Sequence, residues 1–375
     1  MDNNVRPQDL TLVVGGGPAG TSCAWKLASV GRECLIIDKA RFPRDKVCGG
    51  VLSPAAAETI LDSGILTLGE LEELTLRKHG TLALWNRDEL LRTYTSDDST
   101  VRIVSRKEFD NVLLEKAAAA GTSIITEDAV LSLDSSSVLT AAGRRLSFSN
   151  LVGADGCNSV VSKFISGKRN RKTGLGLEYF IPFSHFGEIP QEIQIHFGHI
   201  PYGYIWVIPG KEMVNVGGGA IGSTASPSDI TLALNTFLEG NGISFADYQL
   251  QGASIPSLAL ERNLGRGNIY LAGDAAGLTD HVSGEGIGHA VQSGFLVAEC
   301  IQSEGDRRTV LRKRGNRINV VRQSMFFRHL LFSPITFGIA MMELRDNEAY
   351  ARGYWNIISG KDSYSGMFTG LLESE

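Results

Sequence analysis

The sequence predicts an α/β protein, in which a parallel nucleotide-binding layer is interrupted by a second, antiparallel-sheet domain and followed by a helical C-terminus. Three observations predict it. A glycine-rich turn joins an apolar run to a helical stretch near the N-terminus. A second strand-to-glycine-turn-to-helix passage lies near residue 270. Between them, about residues 170–262 alternate apolar and polar residues, with aromatics and frequent Gly or Pro, which reads as sheet.

Taken in order, Leu10 to Val14 is a short apolar run ending in Gly15-Gly16-Gly17. A helix follows over roughly Ala19 to Val30, and a second apolar run, Cys34 to Ile37, ends at Asp38. That is a βαβ opening. Residues 41–54 form a loop, 55–63 a helix, and 66–104 a mixed region with short strands such as Thr81 to Trp85. Ser105 is placed to cap a helix running to Ala120. Ile124-Ile125 starts another strand, hairpin-like strands follow around Val130 and Leu146, and Leu151 to Ala154 runs into Asp155-Gly156. Further strands are expected at Ile193 to Phe197, Tyr204 to Ile208, Val214 to Gly218 and Asn268 to Gly273. A long helix should span Gly286 to Gln302, and the last 70 residues read as mostly helical.

The expected division follows: residues 1–65, 105–168 and 265–305 in the nucleotide-binding domain, 66–104 and 169–264 in the sheet domain, and 306–375 in a C-terminal helical region.

Bulk properties narrow the function. The chain has 375 residues, 43% of them hydrophobic, enough for one large or two moderate cores. With 41 acidic against 36 basic residues, nothing argues for nucleic acid. Five cysteines, Cys23, Cys34, Cys48, Cys157 and Cys300, are odd in number and lack a CxxC spacing. Neither a disulfide framework nor a zinc site is expected, and a reducing, cytoplasmic setting fits. The N-terminus lacks a basic segment followed by an apolar one, so no signal peptide is expected. Met325 to Leu344 is the richest apolar stretch, but Arg328, His329 and Pro334 interrupt it. It reads as a kinked buried helix, with a membrane-surface segment or a tunnel wall as the alternatives. His196 and His199 read as structural, and no metal site is expected.

Gly15-Gly16-Gly17-Pro18-Ala19-Gly20 is a GxGxxG between strand and helix. Gly15 allows the tight turn, Gly17 lets a pyrophosphate approach the backbone, and Gly20 lets helix and strand pack. The N-terminus of the helix, where Ala19 lies, faces the phosphates with its partial positive charge. Asp38 is placed to bind a ribose. This much describes a Rossmann-type dinucleotide site without separating FAD from NAD.

The passage Ile269-Tyr270-Leu271-Ala272-Gly273-Asp274-Ala275-Ala276-Gly277, continuing through Asp280-His281 to Gly284-Glu285-Gly286-Ile287, separates them. It resembles the second FAD fingerprint of the para-hydroxybenzoate hydroxylase-type flavoproteins. The resemblance implies that Gly273 and Asp274 meet the ribityl chain and that the backbone at Gly286-Ile287 meets the pyrimidine edge of the flavin. A helix N-terminus there would stabilise the negative charge of reduced flavin. Gly153-Ala154-Asp155-Gly156 resembles the family's Asp-Gly motif, Arg106 its arginine near the nucleotide, and Ala129 the position whose backbone meets the adenine.

Two further segments resemble the geranylgeranyl reductase family. Lys46-Val47-Cys48-Gly49-Gly50 matches its Cys-Gly pair beside the flavin. Gly203-Tyr204-Ile205-Trp206-Val207-Ile208-Pro209-Gly210-Lys211, with Asn215-Val216-Gly217-Gly218-Gly219, matches its Gly-Tyr-x-Trp-x-Phe-Pro-Lys and Asn-Val-Gly-x-Gly. The resemblance covers about residues 10–300 and implies a GR2-like FAD-binding domain with a substrate domain. It departs at Ile208, where Phe is usual, at Gly210, which is inserted, and at His281, which replaces a Pro.

The expected activity is hydride transfer from reduced FAD to a carbon–carbon double bond of an isoprenoid or polyprenyl substrate, an apolar small molecule or lipid. NAD(P)H or a ferredoxin-like donor protein would act as reductant. Cys48, Tyr204, Trp206 and His281 are the candidate catalytic and pocket residues, and Cys48 and Gly49 also belong to the flavin site. Peripheral membrane contact accompanies a lipid substrate. The alternatives are an aromatic monooxygenase, a halogenase using a pocket lysine such as Lys78, and a flavoprotein that binds a lipid without turnover.

Overall fold

The computed structural model describes residues 10–96, 100–167, 173–220, 224–256, 264–303, 321–360 and 364. Its first layer is a six-stranded sheet. β1 (Thr11–Val14) pairs in parallel with β2 (Cys34–Ile37) on one side and β12 (Asn150–Gly153) on the other. β8 (Ser123–Ile125) extends the β2 side, β19 (Ile269–Leu271) the β12 side, and the short β18 (Gly265–Arg266) adds an antiparallel edge. The strands are apolar on both faces because both are covered. Val13, Ile36 and Val152 face helices α1 (Pro18–Ala28), α4 (Arg106–Ala119) and α7 (Ile287–Gln302). Leu12, Ile37 and Leu151 face the opposite layer, a three-stranded sheet of β9 (Val130–Leu133), β10 (Ser137–Thr140) and β11 (Arg145–Ser147), with helix α5 (Val160–Ser166).

A seven-stranded sheet forms the other main layer, in the order β17 (Gln251–Ile255), β13 (Gly174–Pro182), β16 (Met213–Ala220), β15 (Gly203–Pro209), β14 (Ile193–Phe197), β5 (Thr81–Asn86) and β6 (Glu89–Thr95). It is mixed rather than purely antiparallel, because β14 runs parallel to β5. The cause is topological: β5 and β6 form a hairpin from the first insertion, and the later strands attach to its edge. A small sheet is formed by β3 (Val51–Leu52), β7 (Val101–Val104) and β4 (Thr75–His79), with helices α2 (Pro54–Ser63) and α3 (Leu68–Leu74) packed beside it.

The region read as all sheet also contains a helix, α6 (Pro227–Gly240). Ser226 and Asp229 close a reciprocal capping box around its first turn, and Pro227 occupies its first position. Ile230, Leu234 and Phe237 then pack on Ile205, Val207 and Val216, covering one face of the large sheet. The other face carries Tyr204 and Trp206 and is left for the site.

The apolar stretch near the C-terminus is two helices rather than one kinked helix. α8 (Val321–Phe332) and α9 (Phe337–Asp346) meet at 96°, with Pro334 in the break. Phe326, Ile335, Ile339 and Met342 are exposed on this pair. No single helix among the described residues is long and apolar enough to cross a membrane. α10 (Glu348–Ile358) follows and buries Tyr354, Trp355 and Ile357. Residues 304–320, and most beyond 360, lie outside the described residues, so the helical expectation there concerns only the remainder.

Candidate active site

One cavity of about 760 Å³ lies between the parallel layer and the Tyr204–Trp206 face of the large sheet. At one end is the glycine turn after β1. Gly15 adopts φ +106°, and a Cβ there would sit 2.2 Å from the Ala154 carbonyl oxygen. A Cβ at Gly20 would sit 1.9 Å from the Gly15 oxygen, so Gly20 is a packing position rather than part of the cavity wall. Gly17 caps α1 without a side-chain acceptor, and Gly17, Pro18 and Ala19 line the cavity. The first-turn N–H groups of α1 therefore remain open to an anion. Asp38 accepts N–H from Gly16 at 2.7 Å and from Ala40 at 2.8 Å, which fixes its carboxylate beside the turn. Ala129 lies in the same wall.

The second glycine turn reaches the cavity from β19. Gly273 has φ +57° and is buried behind the wall, where its N–H donates to Ser293 Oγ at 2.8 Å. Asp274 does line the cavity, and its Oδ1 accepts from Thr279 Oγ1 at 3.2 Å. Gly286 caps α7, again without a side-chain acceptor, and Gly286 and Ile287 face the cavity. Asp155 lies between the two turns. Its Oδ2 accepts the Val160 N–H at 2.6 Å, while its buried Oδ1 has no partner. Burial pushes its carboxyl above the usual range, against the pull of Ser159 and the Val160 N–H.

Arg106 lines the wall and forms a two-bonded ion pair with buried Asp110 at 2.9 and 2.8 Å, and its guanidinium lies against the Cys48 thiol. Arg44 is a cavity residue that the sequence reading did not single out. It meets Asp110 at 3.1 Å and stacks on Phe42 at 4.9 Å. A Cβ at Gly17 would lie 3.4 Å from its guanidinium, so Arg44 adds a cation beside the first glycine turn.

The opposite wall is the face of the large sheet. Directly opposed residues share a face, so Glu178, Gly217 and Trp206 form one row across β13, β16 and β15. Gly217 is small because Trp206 lies over it: a Cβ there would be 2.3 Å from the indole ring. The Trp206 indole N–H donates to Asn215 Oδ1 at 2.6 Å. Tyr204 donates to the Ser283 carbonyl at 3.0 Å and stacks on Phe332. The Cys48–Gly50 loop closes this corner, with Cys48 half-buried in the wall and Gly49 against Ile208 and Asn215. Beyond it the cavity turns apolar, lined by Leu82, Ile193, Ile195, Trp355 and Ile358.

His281 does not join this site. It is 1% exposed, it is absent from the cavity wall, and neither ring nitrogen has a partner. Its backbone N–H donates to Ser324 Oγ at 3.0 Å, and its ring lies within reach of the Arg328 charge, both residues belonging to α8. The tunnel-wall alternative for residues 325–344 also moves, since the C-terminal cavity residues Tyr354, Trp355 and Ile358 come from α10. His196 is buried and stacked on Trp85 at 5.4 Å.

Burial pushes both His281 and His196 down to about 4, and lowers His79 as well. A buried histidine that resists its proton binds one more readily when unfolded. Stability is therefore full above about pH 6.5 and falls towards pH 4, by about 1.4 kcal/mol per pH unit for each such histidine. Glu178, whose carboxyl is raised by burial, acts in the opposite direction as pH rises. Urea midpoints should drop between pH 6.5 and 4, and His281→Leu should make that drop shallower. An unchanged slope in the variant would remove His281 from the account.

The fit to a dinucleotide is good. The cavity is long, two uncapped helix N-termini open onto it, and the glycine turns leave no Cβ where a phosphate chain must pass. The class that follows is that of the FAD-dependent oxidoreductases. A family model for an FAD binding domain matches residues 10–181. The menaquinone reductase of Mycolicibacterium smegmatis is 29% identical over 78% of this chain and 76% of its own. The digeranylgeranylglycerophospholipid reductase of Methanothrix thermoacetophila is 26% identical over 79% and 78%. The crystal structure of a geranylgeranyl bacteriochlorophyll reductase-like protein from Thermoplasma acidophilum superposes with a TM-score of 0.76 at 20% identity, covering 98% of this chain and 96% of the other. A flavin-dependent brominase shares the fold at a TM-score of 0.71 and 16% identity, covering 97% of each. In sequence, then, the chain is similar to these two reductases, and it shares its fold with the geranylgeranyl bacteriochlorophyll reductase-like protein and with the brominase.

Proposed function

We propose that this protein is an FAD-dependent reductase that saturates a carbon–carbon double bond in an isoprenoid or polyprenyl substrate. The observation that carries the reading is the continuity of one cavity, from the nucleotide turns at Gly15 and Asp38 to an apolar end at Ile193, Ile195, Trp355 and Ile358. Such an end suits a hydrocarbon chain and offers little to a small polar aromatic. The names of the two reductases above point the same way.

When bound, FAD would be held by the first turns of α1 and α7, by Asp38, Arg44, Arg106 and Asp274, and it would supply the hydride. The protein orients and dries the reacting bond. Trp206, fixed by Asn215, and Tyr204, fixed by Ser283, wall the middle of the cavity beside Cys48. The partial positive charge at the N-terminus of α7 favours the extra negative charge of a reduced flavin.

NAD(P)H or a ferredoxin-like protein is the proposed reductant, because the only dinucleotide turns in the sequence are assigned to FAD. We place the protein in the cytoplasm, touching the membrane surface through the exposed Phe326, Ile335, Ile339 and Met342. The test is anaerobic. Polyprenyl compounds with isolated double bonds, added to dithionite-reduced enzyme, should restore the oxidised-flavin absorbance. Failure of every polyprenyl compound to reoxidise the flavin, with small phenols or indoles turned over only when dioxygen is supplied as the oxidant, would remove this substrate class.

A further inference from the structure

Saturating an alkene needs a proton as well as a hydride, and the cavity holds an acid that the sequence reading did not weigh. Glu178 is the lone acid in the strand Gly174–Pro182. It is 2% exposed and yet lines the cavity. In its row lie Gly217 and Trp206, and Asn215 is two residues along β16 on the same face. Two polar atoms in this corner have no hydrogen-bond partner: Glu178 Oε1 and Asn215 Nδ2. The Cys48 backbone approaches the carboxyl from the loop. A buried carboxyl with one oxygen left unpaired costs several kcal/mol if ionised and much less if neutral. Burial accordingly raises its proton affinity, while the Asn215 side chain, the Cys48 backbone and Lys46 pull the other way.

We propose that Glu178 is the proton donor of the reaction, held neutral in the cavity wall and positioned by Asn215 and the Cys48 loop. This rests on the alkene-reductase reading. The chemistry balances. The π bond breaks as a hydride from the reduced cofactor forms one C–H bond and the Glu178 proton forms the other. The cofactor is thereby oxidised by two electrons. Glu178 is left as a carboxylate, beside the Asn215 amide, and regains its proton from solvent before the next turnover.

Glu178→Gln keeps the shape and removes the proton. The first readout needs no turnover. The infrared carbonyl stretch of a protonated carboxyl should be present in wild type at neutral pH, with and without FAD, and should be lost in Glu178→Gln. The second is the oxidative half-reaction. Glu178→Gln should bind FAD and accept electrons from dithionite as wild type does, yet pass them to a polyprenyl alkene at least about 100-fold more slowly. In wild type the rate should fall as pH rises through the elevated Glu178 value, and in Glu178→Gln the residual rate should lose that dependence. Glu178→Asp should restore part of both rate and pH profile. Absence of the carbonyl band, or unimpaired alkene reduction by Glu178→Gln, overturns the proposal and leaves the reductase reading standing. If no polyprenyl alkene reoxidises the wild-type enzyme, the reductase reading falls and the assignment of Glu178 falls with it.

Discussion

Asp110→Ala is expected to cost about 3–5 kcal/mol of stability and most of the FAD content. Asp110 is fully buried and is the anion shared by Arg106 and Arg44. Its removal leaves two largely desolvated guanidiniums facing each other with no counter-charge. Both line the cavity, and Arg106 also lies against the Cys48 thiol, so the loss propagates to the nucleotide wall. Urea denaturation should show a lower midpoint at an unchanged slope, and the purified variant should be pale. Arg44→Ala removes one cation and retains the pair with Arg106, so it should cost much less. Equal effects of the two substitutions would mean that the shared anion is not what holds this wall.

Gly217→Ala is expected to separate the two ends of the cavity. The added Cβ would lie 2.3 Å from the Trp206 ring, and the indole can escape only by breaking its 2.6 Å bond to Asn215. The nucleotide turns are on other elements and are untouched. FAD content and reduction by dithionite should stay near wild type, while reoxidation by a polyprenyl alkene should fall by about 100-fold, the usual consequence of displacing a positioning group by an ångström. Wild-type reoxidation would show that Trp206 does not place the substrate. Loss of FAD would show that the two ends are not separable.

The parts legible in the sequence are those whose function is written in local backbone. Gly15, Gly17 and Gly20 are needed where strand meets helix, and Asp38 and Asp274 stand at the ends of strands. Spacing along one short segment places all of them. The Tyr204–Trp206 alternation was legible for the same reason, because period two puts both on one face. What was not legible depends on contacts between distant segments. Glu178 is an isolated acid in an apolar strand, and only the register β13–β16–β15 brings it to Trp206, Asn215 and the Cys48 loop. Arg44 lies in a loop without periodicity, and its role follows from Asp110, far along the chain in α4. His281 is two residues beyond Thr279, which bonds Asp274, yet it is buried off the cavity wall against α8; sequence adjacency cannot reveal that. α6 was hidden among strands, although Ser226-Pro227 with Asp229 carries a helix-start signature. α10 enters the cavity wall through tertiary packing alone, with Trp355 stacked on Tyr94 at 4.9 Å.

The central claim is that electrons leave the bound flavin for a carbon–carbon double bond and not for dioxygen. The most direct measurement is a single turnover of stoichiometrically reduced enzyme with one polyprenyl alkene, with and without dioxygen, followed by the mass of the organic product. A product heavier by two hydrogens, formed without dioxygen, is the predicted result. A product formed only with dioxygen and heavier by one oxygen atom would contradict the account and make this cavity the site of a monooxygenase.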